Sequence, residues 1–339
     1  MKIRNYLSLG CTLTTLCMVP NVADAWWNYG DDGCRTNDTC CNDYCSDWNA
    51  DPCSNWNFQP KGNIDLSGGY RQDELKTKVV SFSSPGVFAG TDKLRIKDIS
   101  IWEIGGRGRV SLCNFYLRGF GYAGWGSHGK YTETVTDAVG DSFHSKAHVK
   151  HTRTQDALIG AGYMYMLSDC CDSSWGIGPV AGWSYAQQRV KMKDGFTDGQ
   201  PDSTFDGLVY KNRWSGPWVG VDLAYQTCDY TINLGYEYHW TRWHAEWLLN
   251  DTDVTPTAFS DLRRAKNAYG NVVYLDGYWK FMSCWELGLG LRFQQWCARH
   301  GHLKPKSLTP PGVPLTEVDR VKHANWYSGE VTVNLGYTF

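Results

Sequence analysis

Residues Trp285-Glu-Leu-Gly-Leu-Gly-Leu-Arg-Phe-Gln294 decide the fold. Trp285, Leu287, Leu289, Leu291 and Phe293 are apolar, whereas Glu286, Gly288, Gly290, Arg292 and Gln294 between them are polar or lack a side chain. Successive side chains of an extended chain point to opposite sides, so a period of two marks a strand with two chemically different faces. The pattern returns at the end of the chain. There Tyr327, Val331, Val333, Leu335, Tyr337 and Phe339 alternate with Ser328, Glu330, Thr332, Asn334, Gly336 and Thr338. Upstream, Ile232 to Trp240 and Val219 to Tyr225 alternate in the same way with Thr231 to His239 and Gly220 to Gln226.

A soluble sandwich with its apolar faces inside would also alternate. Four features point to a membrane barrel instead. The strands are long, often roughly 16 to 20 residues, where soluble strands usually have about five or six. Their polar faces combine glycine and small residues with isolated charges such as Asp222, Glu237, Glu286, Arg292 and Glu330, as a narrow polar lumen requires. Aromatic residues cluster near the ends of the apolar faces, as in Trp175 with Trp183 and Tyr185, or Trp279 with Phe281 and Trp285, consistent with interfacial girdles. Finally, the terminal Tyr337-Thr338-Phe339 resembles the insertion signal of bacterial outer-membrane barrels.

Strands are expected over 63–82, 93–111, 115–134, 146–167, 175–193, 207–226, 230–249, 260–282, 285–300 and 322–339. The expected fold is all-β, a ten-stranded antiparallel transmembrane β-barrel, and ten is an even number, as single-chain bacterial barrels require. Connections sort into short ones at 112–114, 168–174, 227–229 and 283–284, and longer ones at 83–92, 135–145, 194–206, 250–259 and 301–321. Short turns are expected to face the periplasm and long loops the exterior, which makes both termini periplasmic.

The cysteines follow that division. Cys113, Cys170, Cys171, Cys228 and Cys284 fall in the four short turns. Cys34, Cys40, Cys41, Cys45 and Cys53 cluster within 26–62, a segment rich in Asn, Asp, Gly and Ser that cannot build an apolar core of its own. Only Cys297 lies near the outer end. Residues 1–25 read as a signal peptide: Lys2 and Arg4 form a basic start, Leu7 to Val19 an apolar core, and Ala23-Asp24-Ala25 a cleavage site. Of the 13 cysteines, removing Cys11 and Cys17 with the signal leaves an odd number in an oxidising compartment. Zinc would compete for the N-terminal cluster, but that segment holds no histidine, so disulfides are expected. Two arrangements stay open: internal bridges stapling the segment under the barrel, or links to other envelope proteins or to a second copy.

Composition closes several other routes. The chain is 42% hydrophobic and only 20% charged with 17 Trp, 20 Tyr and 12 Phe, so the signature of a disordered chain is absent. Mean hydropathy is −0.45, and no run after residue 25 approaches the roughly 18 apolar residues of a membrane helix. A net charge of −2 leaves no basic excess for nucleic acid.

Several segments resemble the omptin barrels in order along residues 63–339: Ile64-Asp-Leu-Ser-Gly-Gly-Tyr70 with Lys76-Thr-Lys-Val79, Gly124-Trp-Gly-Ser-His-Gly129, Trp175-Gly-Ile-Gly-Pro-Val-Ala-Gly-Trp183, Tyr210-Lys-Asn-Arg-Trp214 with Trp218-Val-Gly-Val221, and Gly336-Tyr-Thr-Phe339. With the added cysteines, the chain is most similar to the omptin-related, cysteine-rich outer-membrane proteins of environmental chlamydiae. Omptins are proteases, and the resemblance implies an Asp-x-Asp pair on the second outer loop facing an Asp-x-His pair on the fourth, a base held by an orienting carboxylate. Here the fourth loop reads Asn250-Asp251-Thr252-Asp253, with Asp253 where the histidine belongs. The second reads Tyr131-Thr-Glu-Thr-Val-Thr-Asp137, without Asp-x-Asp. No omptin-type proteolysis is therefore expected, although Asp141 with His144, or His244 with Glu246, would offer a displaced dyad.

Other chemistry is weaker. Ser127-His128 invites a hydrolase reading and Gly105, Gly106 and Gly108 a phosphate loop, but those glycines sit in a strand with no helix to follow. Asp251 and Asp253 fall short of the six to eight oxygens that Ca²⁺ takes, so no metal and no cofactor are expected. Arg189, Lys191, Lys211 and Arg213 lie near the outer ends of two strands, where they would meet lipopolysaccharide phosphates at the edge of the outer-membrane lipid. The function expected is that of a structural or surface protein of the envelope. A small-diameter porin ranks second, because inward Glu, Arg and Tyr narrow a lumen only slightly wider than that of an eight-stranded barrel, and a protease ranks third.

Overall fold

The computed structural model describes residues 61–83, 87–112, 114–170, 173–227, 229–249, 261–305 and 320–339. They form β1 (Lys61–Ser83), β2 (Val87–Leu112), β3 (Phe115–Asp137), β4 (Ser142–Tyr163), β5 (Tyr165–Cys170), β6 (Ser173–Thr197), β7 (Gln200–Asp202), β8 (Leu208–Thr227), β9 (Tyr230–Leu249), β10 (Asp261–Lys280), β11 (Trp285–Pro305) and β12 (Arg320–Thr338). Neighbouring strands pair antiparallel in the order β4-β3-β2-β1-β12-β11-β10-β9-β8-β6, and β4 pairs with β6 to close the ring. The short β5 extends the β4 position along β6, and β7 folds back on the far end of β6. Ten strands therefore make a closed, ten-stranded antiparallel barrel. Closure satisfies the backbone groups of every strand within the ring, the condition that hydrocarbon imposes on a spanning sheet. Gly62 and Phe339 exchange two backbone hydrogen bonds of 2.9 Å, so the barrel begins and ends at one place.

At the end that holds Gly62 and Phe339, hereafter proximal, the strand limits fall close to those read from the sequence. At the distal end the strands run further than expected. The expected 83–92 loop contracts because β1 continues to Ser83 and β2 starts at Val87, and the 135–145 loop contracts to the residues between Asp137 and Ser142. The polar Thr91 and Asp92 and the facing Val135 and Thr136, expected in connections, pair in register across β2 and β3.

Their polarity has a structural cause. Along β1 the inward residues are Asp65, Ser67, Arg71 and Asp73 and then, without a change of parity, Leu75, Thr77 and Val79. The outward residues are Ile64, Leu66 and Tyr70 and then Gln72, Glu74, Lys76 and Lys78. The alternation persists while the chemistry of the two faces exchanges. The same exchange occurs on β11, where inward Glu286, Arg292 and Gln294 give way to Trp296 and Ala298, and on β12, where Asn334, Thr332, Glu330 and Ser328 give way to Trp326 and Ala324. On β9, Glu237, His239 and Thr241 precede Trp243, Ala245 and Trp247.

The barrel thus has two storeys. The proximal one is apolar outside and polar inside, with Trp285, Leu287, Leu289 and Phe293 all 41% exposed or more, as a lipid-facing wall requires. The distal one is built like a water-soluble barrel, polar outside around an apolar core. Bulges at Asp73/Leu75 on β1 and around Lys97–Ile101 on β2 lie close to the crossover, where they add local twist.

Candidate functional site

The interior is the only place where the chain concentrates buried polar chemistry among the described residues. In the proximal storey Arg71 is fully buried. Its Nε donates to Asp73 Oδ1 at 2.8 Å and its Nη1 to Glu103 Oε1 at 3.0 Å and to Asp156 Oδ2. Gln188 donates to the second oxygen of Asp73 at 2.6 Å, Thr154 donates to Glu103 at 3.1 Å, and the guanidinium lies 5.0 Å from the Trp326 ring centroid. The cluster gathers side chains from β1, β2, β4, β6 and β12. Other struts cross between distant walls: Arg118 on β3 reaches Glu237 on β9 at 2.8 Å, Arg107 on β2 reaches Asp276 on β10 at 2.8 Å, and Tyr116 on β3 donates to Asp222 on β8 at 2.9 Å. Gly290 makes room for them. A Cβ there would fall 2.6 Å from an Asp276 oxygen and 2.4 Å from Thr332 Oγ1.

Near the crossover Ser184, His239 and Glu237 form a hydrogen-bonded row, with 2.8 Å from Ser184 Oγ to His239 Nδ1 and 3.0 Å from His239 Nε2 to Glu237 Oε2. The residue types match those of a hydrolase triad. The surroundings do not serve catalysis: all three are at most 5% exposed. Trp218 stacks on the imidazole at 5.9 Å and Trp296 packs at 4.9 Å, where a substrate would have to enter. The row is therefore one more strut, joining β6 to β9 across β8. Gly216 of β8 opens the gap, since a Cβ there would meet Trp240 and Thr241 backbone atoms. Only Glu237-x-His239 was visible in the sequence; the serine lies far away in the chain, on a strand that does not pair with β9.

Above these groups the distal core packs indole and phenol rings together. Trp214 packs against Trp243 at 6.1 Å and Trp296 at 5.8 Å between centroids, Trp296 against Trp326 at 6.2 Å, and Trp247 against Tyr210 at 4.8 Å. Trp214, Trp243 and Trp326 are at most 1% exposed.

The residues singled out by sequence lie elsewhere. Asp137, Asp141 and His144 share the tip of the β3–β4 hairpin, where Asp137 Oδ1 accepts from the backbone N–H groups of Val139, Gly140 and Asp141 at 2.8–2.9 Å. The His144 ring contacts Thr134 Oγ1 at 3.2 Å and its backbone N–H donates to Asp198 at 2.8 Å. Asp251 and Asp253 lie outside the described residues. His244 and Glu246 are on the outer wall of β9, with Glu246 bound to Lys211 at 3.1 Å and to Arg213 at 3.6 Å. In the same wall Arg189 stands opposite Lys211, and Lys191 follows one dyad further along β6. Of the cysteines, Cys34, Cys40, Cys41, Cys45, Cys53, Cys113, Cys171 and Cys228 are outside the described residues. Cys170 ends β5 and Cys284 lies in the β10–β11 turn, both proximal, whereas Cys297 is a free, buried thiol in the distal half.

The family model for the Protochlamydia outer membrane protein matches residues 65–339, nearly the whole described barrel. The chain belongs to that family. Among solved structures, this chain is similar to the outer membrane protease OmpT from Escherichia coli, with 13% identity, a TM-score of 0.59 and coverage of 84% of this chain and 99% of that one. At that identity the likeness is one of fold. The outer membrane protein OprG from Pseudomonas aeruginosa aligns at 9% identity over 83% of this chain and 98% of its own, with a TM-score of 0.28. No curated protein matches the family member significantly by sequence.

Proposed function

We propose that this outer-membrane barrel is a closed structural and surface protein of the envelope, exported by the signal peptide at 1–25. In this reading the termini are periplasmic, the distal storey stands outside the cell, and the cysteines at the proximal end tie the barrel into the envelope. The observation that carries it is the filled bore, with ion-pair struts in one storey and packed indoles in the next. A conducting pore needs a continuous aqueous path, and Trp214, Trp243, Trp296 and Trp326 occupy the place where it would run. Single-channel recording of the refolded, oxidised protein in planar bilayers tests this. Silence is the expected result, and steady salt-dependent steps would make it a porin.

The cross-linking half of the reading is supported by the position of Cys170 and Cys284, both at the proximal end of the barrel. Non-reducing gels of envelope preparations should show bands above the monomer that collapse with reductant; monomer alone would restrict the bridges to the chain itself. Arg189, Lys191, Lys211 and Arg213 stand beyond the girdle residues Trp183 and Tyr185, the height at which lipopolysaccharide phosphates would meet them. Proteolysis is not part of the proposal. Asp253 stands in place of histidine on the fourth connection, and the described candidates Asp137, Asp141 and His144 are engaged at one hairpin tip. A dibasic peptide left intact by the refolded protein is the expected outcome.

A further inference from the structure

The distal outer wall holds a cleft of about 660 Å³ where β3 and β4 meet the hairpin of β6 and β7. That volume lies within the range of small-ligand sites, about 300–1,000 Å³. Lys130 and His148 stand opposite each other on adjacent strands, with Lys146 one dyad beyond, next to Phe196 on β6. Asp194 and Asp198 form the far side. The hairpin curls there because Asp194 and Asp198 have φ of 52° and 49° and Gly199 has 82°.

The charges in this cleft are not mutually satisfied. Asp194 pairs with Lys193 at 3.1 Å and Asp198 accepts from the His144 backbone at 2.8 Å. Lys130, Lys146 and His148 have no carboxylate partner among the described residues. Phe196 is 44% exposed on a wall whose other distal residues are mostly polar. The geometry points to a binding site for an anionic saccharide. A sulfate or carboxylate group fits the paired ammonium groups of Lys130 and Lys146. The remaining oxygens of Asp194 and Asp198 accept from sugar hydroxyls, and the apolar face of a pyranose ring covers Phe196. An inorganic anion would need only cations. The combination of an aromatic ring, acceptors and donors in one open cleft is what a charged sugar demands.

The site is independent of whether the bore conducts. Its test is calorimetric titration of the full, refolded chain in lipopolysaccharide-free micelles with a heparin-derived hexasaccharide, beside neutral chitohexaose. Binding of the sulfated sugar alone is expected. Lys130→Gln with Lys146→Gln should weaken it by about tenfold or more, as loss of two charge-assisted contacts implies. Phe196→Ala should weaken it several-fold. Lys78→Gln with Lys93→Gln, a registered lysine pair on β1 and β2, should leave it unchanged. Retained heat-modifiable mobility on gels confirms that each variant is folded. The same titration with lipopolysaccharide core oligosaccharide separates two sources of such a sugar: affinity for the core alone, lost in the Lys130/Lys146 variant, assigns the cleft to the bacterium's own surface. Absence of binding by either anionic sugar, equal binding of the neutral one, or equal losses in the two lysine pairs overturns the proposal.

Discussion

At the residue scale, Arg71 is the most demanding position in the chain. Its guanidinium balances Asp73, Glu103 and Asp156, so removing it leaves three carboxylates in an enclosed space without the cation that bridges them. Breaking a buried pair from one side typically costs about 3–5 kcal/mol. Arg71→Met is therefore expected to destabilise the refolded barrel by at least that amount in urea unfolding from lipid vesicles. Adding Asp156→Asn to Arg71→Met should recover part of the loss, whereas equal stability of the single and double variants would show that the cluster is not coupled. A smaller effect belongs to Asp202, in the distal connection, whose carboxyl is held below its usual value of 3.8 by hydrogen bonds from Thr204 and Thr197. Because folding depresses that group, its contribution is present above the ordinary carboxylate pKa and disappears as pH falls through the lower, folded value. The protection of the Thr204 amide, bound to Asp202 at 3.0 Å, relative to its intrinsic exchange at the same pH should fall only in that acidic window. Sequence reading placed charges such as Asp222, Glu237, Arg292 and Glu330 on the lumen face correctly, because parity is enough to decide a face. It could not name their partners, since Arg118 and Glu237, or Arg71 and Asp156, come together only when the ring closes.

At the element scale, the strands were legible because period-two alternation runs nearly unbroken through each of them. The exchange of faces was not. A strand whose inward residues change from Asp73 to Leu75 keeps the same period, and only the identity of the face that meets water changes. Only the outermost distal residues, such as Thr91 and Asp92, were therefore left in connections, while Trp214 and Trp296, inside expected strands, gave no sign of a second, apolar core. The exchange makes opposite expectations for one substitution at two heights of β11. Leu289→Lys, on the lipid face, should cost about 2–4 kcal/mol in vesicle-based unfolding, as cations near the bilayer midplane do. Gln295→Lys, three dyads further along the same face, should change stability by less than about 0.5 kcal/mol, as surface changes usually do. Inside the distal core, Trp326→Ala should cost about 3–5 kcal/mol by opening a cavity. Equal penalties for the two lysines would show that the outer face is uniform along β11.

At the scale of the whole molecule, a net charge of −2 hides a sorting of sign. Asp65, Asp73, Glu103, Asp156, Asp222, Glu237, Asp276, Glu286 and Glu330 are buried in the lumen, against Arg71, Arg107, Arg118 and Arg292, while the distal outer wall carries lysines such as Lys76, Lys78, Lys130 and Lys146. Composition alone cannot reveal this, because it sums over faces that never meet. The two storeys share every barrel strand and a hydrogen-bond ladder that only local bulges interrupt, so thermal unfolding in detergent should show one transition by both tryptophan fluorescence and far-UV dichroism. Two separated transitions would mean that the distal core folds by itself. The crossover between storeys also acts as a depth gauge. Sliding the barrel by one dyad along the bilayer normal, about 5 Å for a tilted strand, would press Gln72 and Glu74 into hydrocarbon or lift Tyr70 and Phe293 into water. The height of the apolar belt is thereby set in the covalent chain, and it is the surrounding bilayer, by thinning or thickening, that must adjust to it.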